Sequence, residues 1–386
     1  MTLIPGFTST GSKRPGALFG LNPDPDLPFR MTRSSGCRVW DPSGREYLDC
    51  IMALGAVALG YGHTLVNAAA IEAVVRGVTG PLAPEDEETL ARELSRTMPW
   101  MESLRFLKTG AEAVAASLRL ARAHTGRELV LGCGYHGWLD GTTQNDPAVP
   151  HGTRSAFGGL QYDDPEDVRQ QVRQHGDRLA AIIVEPVIDR LPSLEWLQTL
   201  KEETTRAGVV LVFDEIKTGC RLAVGGAAER FGIHPDLVVL GKAIANGFPL
   251  AVVGGHREIM RRAEQTWISS TLATEMVSLA AARATLEVMR REKIPDQLEQ
   301  KGNQLMAALT TLQQQYPHLL TAAKGVAQMC YLTYRDEATG IACVRGCARR
   351  GVLFKRNAYN FVSAAHTSAD IDRVGGALEE TLRDMT

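Results

Sequence analysis

Residues 209–255 read VVLVFDEIKTGCRLAVGGAAERFGIHPDLVVLGKAIANGFPLAVVGG. Val209 to Phe213 is an apolar run short enough for a buried strand, and it ends abruptly in Asp214 and Glu215. A second run, Leu237 to Leu240, ends in Gly241-Lys242, and a third, Pro249 to Val253, ends in Gly254-Gly255. A carboxylate and an amine therefore stand just past the ends of two neighbouring strands, the edge at which open α/β sheets place their chemistry.

Those two groups suit one kind of cofactor. A lysine amine beside an apolar wall loses its proton more easily and can attack a carbonyl. A pyridine aldehyde needs such a lysine for a Schiff base, and a carboxylate to keep its ring nitrogen protonated so that the ring accepts electrons. Lys242 and Asp214 fit those roles. The spacing by itself favours a surface lysine and a strand-end aspartate that never meet, since both residue types are common.

The words around them carry more. DEIKTG, followed by GG…FGIHPDLVVLGKAIANGFPLAVVGG, resembles the class III aminotransferases, pyridoxal-phosphate (PLP) enzymes of fold type I. Within that group the chain is most similar to glutamate-1-semialdehyde aminomutase and the aminotransferases that look like it. The resemblance runs from IPGFTSTGSKRP to AAHTSADID, nearly the whole chain, with separate motifs in the right order. It implies an α/β architecture: a large domain with a mostly parallel seven-stranded sheet and a small α+β domain built from both termini. Expected bounds are an N-terminal segment over 1–50, the large PLP domain over 51–285 and a C-terminal small domain over 286–386.

Composition limits the alternatives. The chain has 386 residues, enough for a large core. A net charge of −2 gives no field for nucleic acid or an anionic membrane surface. No apolar stretch reaches the ~18 residues of a membrane span. The opening residues contain no secretory h-region. The seven cysteines form no C-x-x-C pair and complete no zinc set, so they read as reduced thiols of a cytoplasmic protein without a metal.

In chain order, residues 1–35 are rich in Pro, Gly, Ser and Thr and read as irregular. Lys13 and Arg14 in that segment are candidates for a substrate anion. CRVWDPSGREYLDC predicts a hairpin around an Asp-Pro-Ser-Gly turn. Helices are expected over Thr64 to Val78 and Glu85 to Met98. Leu104 to Leu107 is a strand candidate leading into Lys108-Thr109-Gly110-Ala111-Glu112 and a helix to about His124. Strand, glycine turn and helix N-terminus make a phosphate cup, because free N–H groups point outward there and the dipole favours an anion. An ordinary strand-to-helix turn has the same look. By resemblance this is the cofactor-phosphate loop, with Gly110 and Ala111 donating N–H and Thr109 its hydroxyl; Ala111 stands where relatives often have Ser or Thr.

The next strand, Glu128 to Leu131, ends in GCGYHGW. By resemblance Tyr135 stacks on the pyridine ring and His136 and Gly137 complete the motif. Residues 138–162 resemble an active-site loop, shorter than that of the aminomutase. Ala180 to Val184 is a buried strand running into Glu185-Pro186-Val187. Glu185 is expected beside the cofactor, or else as a strand-end carboxylate paired to a nearby base. Ser193 caps a helix to Arg206.

Within the central stretch, Ile216 is expected on the ring face opposite Tyr135. Lys217 stands where many relatives have Gln and the aminomutase has Met; it either tunes the ring hydroxyl or points away, the second being preferred. By resemblance Ser270 and Thr271 reach across a homodimer interface to the other subunit's cofactor phosphate, so each active site needs two subunits. A helix is expected from Met276 to about Arg291. Beyond it come a helix over Pro295 to Gln315, a strand over Ala327 to Tyr334, a helix over Thr339 to Arg350 and a last helix capped by Thr367 with Asp370.

The aminomutase has a substrate-binding glutamate where this chain carries Ala358 or Tyr359, which argues against aminomutase activity. Lys355 and Arg356 read as solvent-facing, and Arg221 and Arg356 are the candidates for binding a substrate carboxylate. The expected reaction is transfer of an amino group between small-molecule amine and carbonyl substrates. An aminomutase or epimerase on the same scaffold is the alternative.

Overall fold

The apolar runs that bracket Asp214 and Lys242 are adjacent strands. In the computed structural model, which describes residues 3–21 and 24–386, the large sheet has seven. In chain order they are β1 (Ser103–Leu107), β2 (Leu129–Cys133), β3 (Phe157–Gly159), β4 (Leu179–Val184), β5 (Val210–Asp214), β6 (Leu237–Leu240) and β7 (Ala251–Gly255). Across the sheet they run β1-β7-β6-β5-β4-β2-β3. β7 is antiparallel to both neighbours, and every pairing from β6 to β3 is parallel.

Every residue of β4, β5 and β6 is buried, as parallel strands covered on both faces require. Alternation along β5 divides the core in two. Val210 and Val212 pack with Ala113, Val114 and Leu118 of helix α1 (Gly110–Thr125). Leu211 and Phe213 pack with Val168 and Val172 of one helix and Trp196, Leu197 and Leu200 of another on the opposite face. Both covering helices are capped as their sequences indicate: Asp164 accepts from the N–H groups of Glu166 and Asp167, and Ser193 from that of Trp196.

The chain packs as two units, Thr64–Pro295 with this sheet, and Met1–His63 with Asp296–Thr386. The domain bounds read from the sequence, 51 and 285, both fall earlier in the chain than 64 and 295. Residues 51–63 go with the terminal unit because backbone bonds tie them there: Phe361 N–H donates to Cys50 O at 2.7 Å and Ala364 N–H to Ala58 O at 2.8 Å. In that unit the expected hairpin pairs Arg38–Trp40 with Glu46–Asp49, and Val352–Leu353 adds in parallel beside it. A second, antiparallel sheet joins Leu320–Val326, Met329–Tyr334 and Asn360–Phe361.

Several elements differ from the sequence reading. Leu320–Val326 is a strand in which only Leu320 is buried and the rest shows no clean alternation. The irregular 1–35 stretch contains a 3-10 turn at Gly11–Lys13, a short helix at Pro15–Phe19 and an edge strand at Arg33–Ser35; its positions 1, 2, 22 and 23 lie outside the described residues. The active-site loop 138–162 includes a short helix, His151–Ser155, and β3. β7 starts at Ala251 rather than Pro249, since proline has no N–H for the ladder.

Candidate active site

The register of β5 on β6 places Asp214 opposite Val239, and the Glu215 N–H donates to Val239 O at 2.9 Å. Lys242 follows three residues later. It opens a 3-10 turn with a left-handed backbone, φ 46°, a conformation that costs a non-glycine residue about 1–3 kcal/mol and is kept where the surroundings impose it. Its pKa is pulled from 10.5 down to about 8, first by burial and then by the positive charge of Lys217; Glu185 and Asp214 pull the other way, and Arg221 adds to the lowering. Lys242 therefore loses its proton more readily than a solvated lysine.

Asp214 is held from two sides. Its Oδ2 lies 2.8 Å from Nδ1 of His136, and its Oδ1 accepts the Ile216 N–H at 3.2 Å. Each carboxylate oxygen keeps a further lone pair for a donor. The carboxylate only accepts, so His136 carries its proton on Nδ1; its Nε2 is buried without a hydrogen-bond partner among the described residues. Tyr135, the residue before it, is 71% exposed, a free ring at the mouth of the strand ends. The Tyr135 N–H donates to Glu185 Oε1 at 2.7 Å, and the other Glu185 oxygen is ion-paired with Lys217. Glu185 is paired with a nearby base, as one of its two readings expected. The preference for Lys217 pointing away is overturned: its side chain is only 14% exposed and turned to Glu185.

The strand-to-helix turn after β1 is tightly built. Thr109 caps α1 by accepting the Glu112 N–H, and the Glu112 carboxylate accepts the N–H groups of Lys108 and Thr109 in return. The N–H groups of Gly110 and Ala111 stand in the first turn, where a helix offers no carbonyl partner. A Cβ on Gly110 would come within 2.5 Å of Ile216 Cδ1, and one on Gly137 within 2.7 Å of the Ala111 Cβ. These glycines let the phosphate cup, Ile216 and the Tyr135-His136-Gly137 turn crowd together.

Ser270 and Thr271 are exposed. Glu275, a few residues on, caps helix α2 (Met276–Arg291) through the N–H groups of Val277 and Ser278, and pairs with Lys108 at 2.7 Å. That tie between the phosphate turn and α2 is absent from the sequence reading; a carboxylate directly before a helix was its signal. Arg221 is 1% exposed, with its Nε donating to Lys217 O at 3.1 Å, so it lies within the protein rather than on an open anion site.

In the terminal unit, Lys13 and Arg14 are exposed. The solvent-facing reading of Lys355 and Arg356 is corrected: both are half-buried, and Arg356 pairs with Glu337 at 3.3 Å. Tyr359 stacks edge-on against Tyr331, centroids 5.6 Å apart.

The residues fit a pyridoxal-phosphate molecule. A deprotonation-prone lysine, a buried carboxylate with spare acceptor capacity and a glycine-lined helix N-terminus answer its aldehyde, ring nitrogen and phosphate respectively. The comparisons agree. Residues 21–369 match the family model for aminotransferase class III. The chain is 35% identical to a glutamate-1-semialdehyde 2,1-aminomutase of Thermomicrobium roseum, covering 93% of this chain and 91% of that one. It is 31% identical to a protein of the same name from Rhodopirellula baltica, covering 99% and 94%. Among solved structures it is similar to the FumI protein of Sphingopyxis sp. MTA144 in its PLP internal aldimine form, with a TM-score of 0.89 and 27% identity over 94% of this chain and 90% of that one. A β-phenylalanine aminotransferase from Variovorax paradoxus aligns with a TM-score of 0.81 and 28% identity, over 95% and 90%. With its doubly covered sheet and its lysine at a strand end, the chain belongs to the class III aminotransferases, enzymes of PLP fold type I that use pyridoxal phosphate.

Proposed function

We propose that the protein moves an amino group between an amine donor and a carbonyl acceptor, with Lys242 as the residue that binds the cofactor aldehyde. The observation that carries this reading is Lys242 itself: a lysine with a lowered pKa, beside Asp214, at the end of adjacent parallel strands. When bound, pyridoxal phosphate supplies an electron sink that makes a substrate C–H bond acidic.

The chain's own residues do the rest. Lys242 would be the group placed to move a proton at the substrate carbon, as base and then acid. Asp214, oriented by His136, holds the proton on the ring nitrogen. Tyr135 and Ile216 would flank the cofactor ring, one on each face. The N–H groups of Gly110 and Ala111, with the Thr109 hydroxyl, bind the phosphate.

The active form in this reading is a homodimer, in which Ser270 and Thr271 of the partner subunit complete the phosphate site. The exposed apolar side chains Trp267, Leu272, Val75 and Ile71, all in the Thr64–Pro295 unit, support it. The seven buried, free thiols support a cytoplasmic location. Among the described residues no helix is long and apolar enough to cross a membrane.

The names of the relatives favour a second reading, an aminomutase-type isomerase. Incubation of purified enzyme with an amine donor alone separates the two. Release of a keto product in one equivalent per cofactor supports amino transfer; isomerised substrate without a keto product supports the isomerase and sinks the first reading.

A further inference from the structure

Lys217 lies three residues past Asp214, and its ion-pair partner Glu185 belongs to a different strand end. The two side chains are 14% and 5% exposed. A lysine has a long flexible stem and a strongly hydrated head, so it stays inside only where a partner holds it. Glu185 is itself fixed, accepting the Tyr135 N–H at 2.7 Å, while a Cβ on Gly134 would lie 2.7 Å from its Cγ. The segment carrying Lys217 runs along the segment carrying Lys242. Glu215 N–H bonds Val239 O, and Ile216 carbons lie 3.6 Å from the Cβ position of Gly241. The charged groups acting on Lys242 are Lys217 and Arg221 from the stretch after β5, Asp214 from the end of β5 with His136 bonded to it, and Glu185 from the end of β4.

We infer that Lys217 is a positioning residue for Lys242: clamped by Glu185, its ammonium is a fixed positive charge that makes a second one nearby unfavourable, so Lys242 keeps the electron pair it needs to attack a carbonyl. This rests on the reading of Lys242 as the cofactor lysine. The direction is consistent with the groups present. After burial, Lys217 is the largest influence on Lys242, ahead of Glu185, which acts in the opposite sense. Glu185 holds the cation in place through the ion pair.

The test has two readouts. In the enzyme with its cofactor, the pH midpoint of the bound cofactor's absorption is titrated. In the same protein stripped of cofactor, the Lys242 amine is titrated by competitive acetic anhydride labelling read by mass spectrometry. The wild-type amine is expected to titrate at about 8. K217Q, and K217M as a neutral side chain of similar length, should raise both midpoints by about one pH unit or more. K217R, which retains the charge, should leave them near the wild-type values. Unchanged midpoints in both neutral variants, or a K217R protein that shifts as they do, overturn the inference. Failure of the underlying reading looks different: K242A would keep the bound-cofactor absorption, while the labelling midpoint of Lys242 in the other proteins would still report on Lys217.

Discussion

His136 Nδ1 stands 2.8 Å from Asp214 Oδ2, and both side chains are 2% exposed. A carboxylate sealed from water interacts strongly with whatever proton it faces, and the histidine fixes which way it faces. Asp214→Asn keeps the shape and removes the charge. It should leave cofactor uptake measurable but slow the half-reaction with an amine donor on the order of 10²–10³-fold, the scale of losing one preorganised electrostatic contact. Stopped-flow absorbance measures that rate, and a variant within threefold of wild type would remove Asp214 from the mechanism.

Lys242 bears a stability cost that its function explains. Its folded pKa of about 8 lies below the ordinary 10.5, so between those values the folded chain binds fewer protons than the unfolded one. The stability of cofactor-free protein should therefore rise with pH across that window, and the full penalty is present below it. Lys242→Met should be more stable than wild type at pH 7 by on the order of 1–3 kcal/mol, with the gain shrinking towards pH 10. Urea midpoints at the two pH values check this. The same variant should lose the absorption of the lysine-linked cofactor.

Gly137 has φ 92°, and an added Cβ would meet Ala111 at 2.7 Å from its Cβ and 2.9 Å from its Cα. Gly137→Ala combines backbone strain with a clash against the first turn of α1. We expect a loss of about 1–3 kcal/mol in stability and weaker cofactor binding, because the displaced residue carries one of the phosphate-facing N–H groups. Thermal midpoints and a cofactor titration would show it; unchanged cofactor affinity would argue that Ala111 does not contact the phosphate.

In the terminal unit, Asp370 is the N3 member of the last helix's capping box with Thr367 and pairs with Arg38 at 2.5 Å. Burial pushes its carboxyl up, but the bonds from the Thr367 N–H and hydroxyl and from Arg38 outweigh it and bring the pKa down to about 2. A lowered carboxylate pKa contributes stability above the unfolded value of 3.8 that is lost as pH falls towards 2. Asp370→Asn should cost about 2 kcal/mol at neutral pH, and its unfolding midpoint should converge on that of wild type in acid. Curves that stay parallel to pH 2 would contradict this.

Much of this protein is local enough to read from order alone. A short apolar run ending in a charged residue specifies a buried strand and the edge it ends on, so Asp214 and Lys242 could be assigned to neighbouring strand ends before any coordinates. Ser193 and Thr367 announced their helices because a cap acts within three residues of itself. The strand at Leu320–Val326 escaped because Thr321, Ala322 and Lys324 give no clean alternation.

What order could not determine is the set of pairings between groups far apart in the chain. His136 meets Asp214 across 78 positions, Glu185 meets Lys217 from another strand end, and Lys108 meets Glu275 across 167. Each depends on which strands lie side by side and on the register between them. Those follow from packing the whole sheet, and the energy of an ion pair changes steeply with a few ångströms that no single stretch of sequence encodes. The sequence determined which chemical groups the site contains; tertiary structure decided which of them face one another.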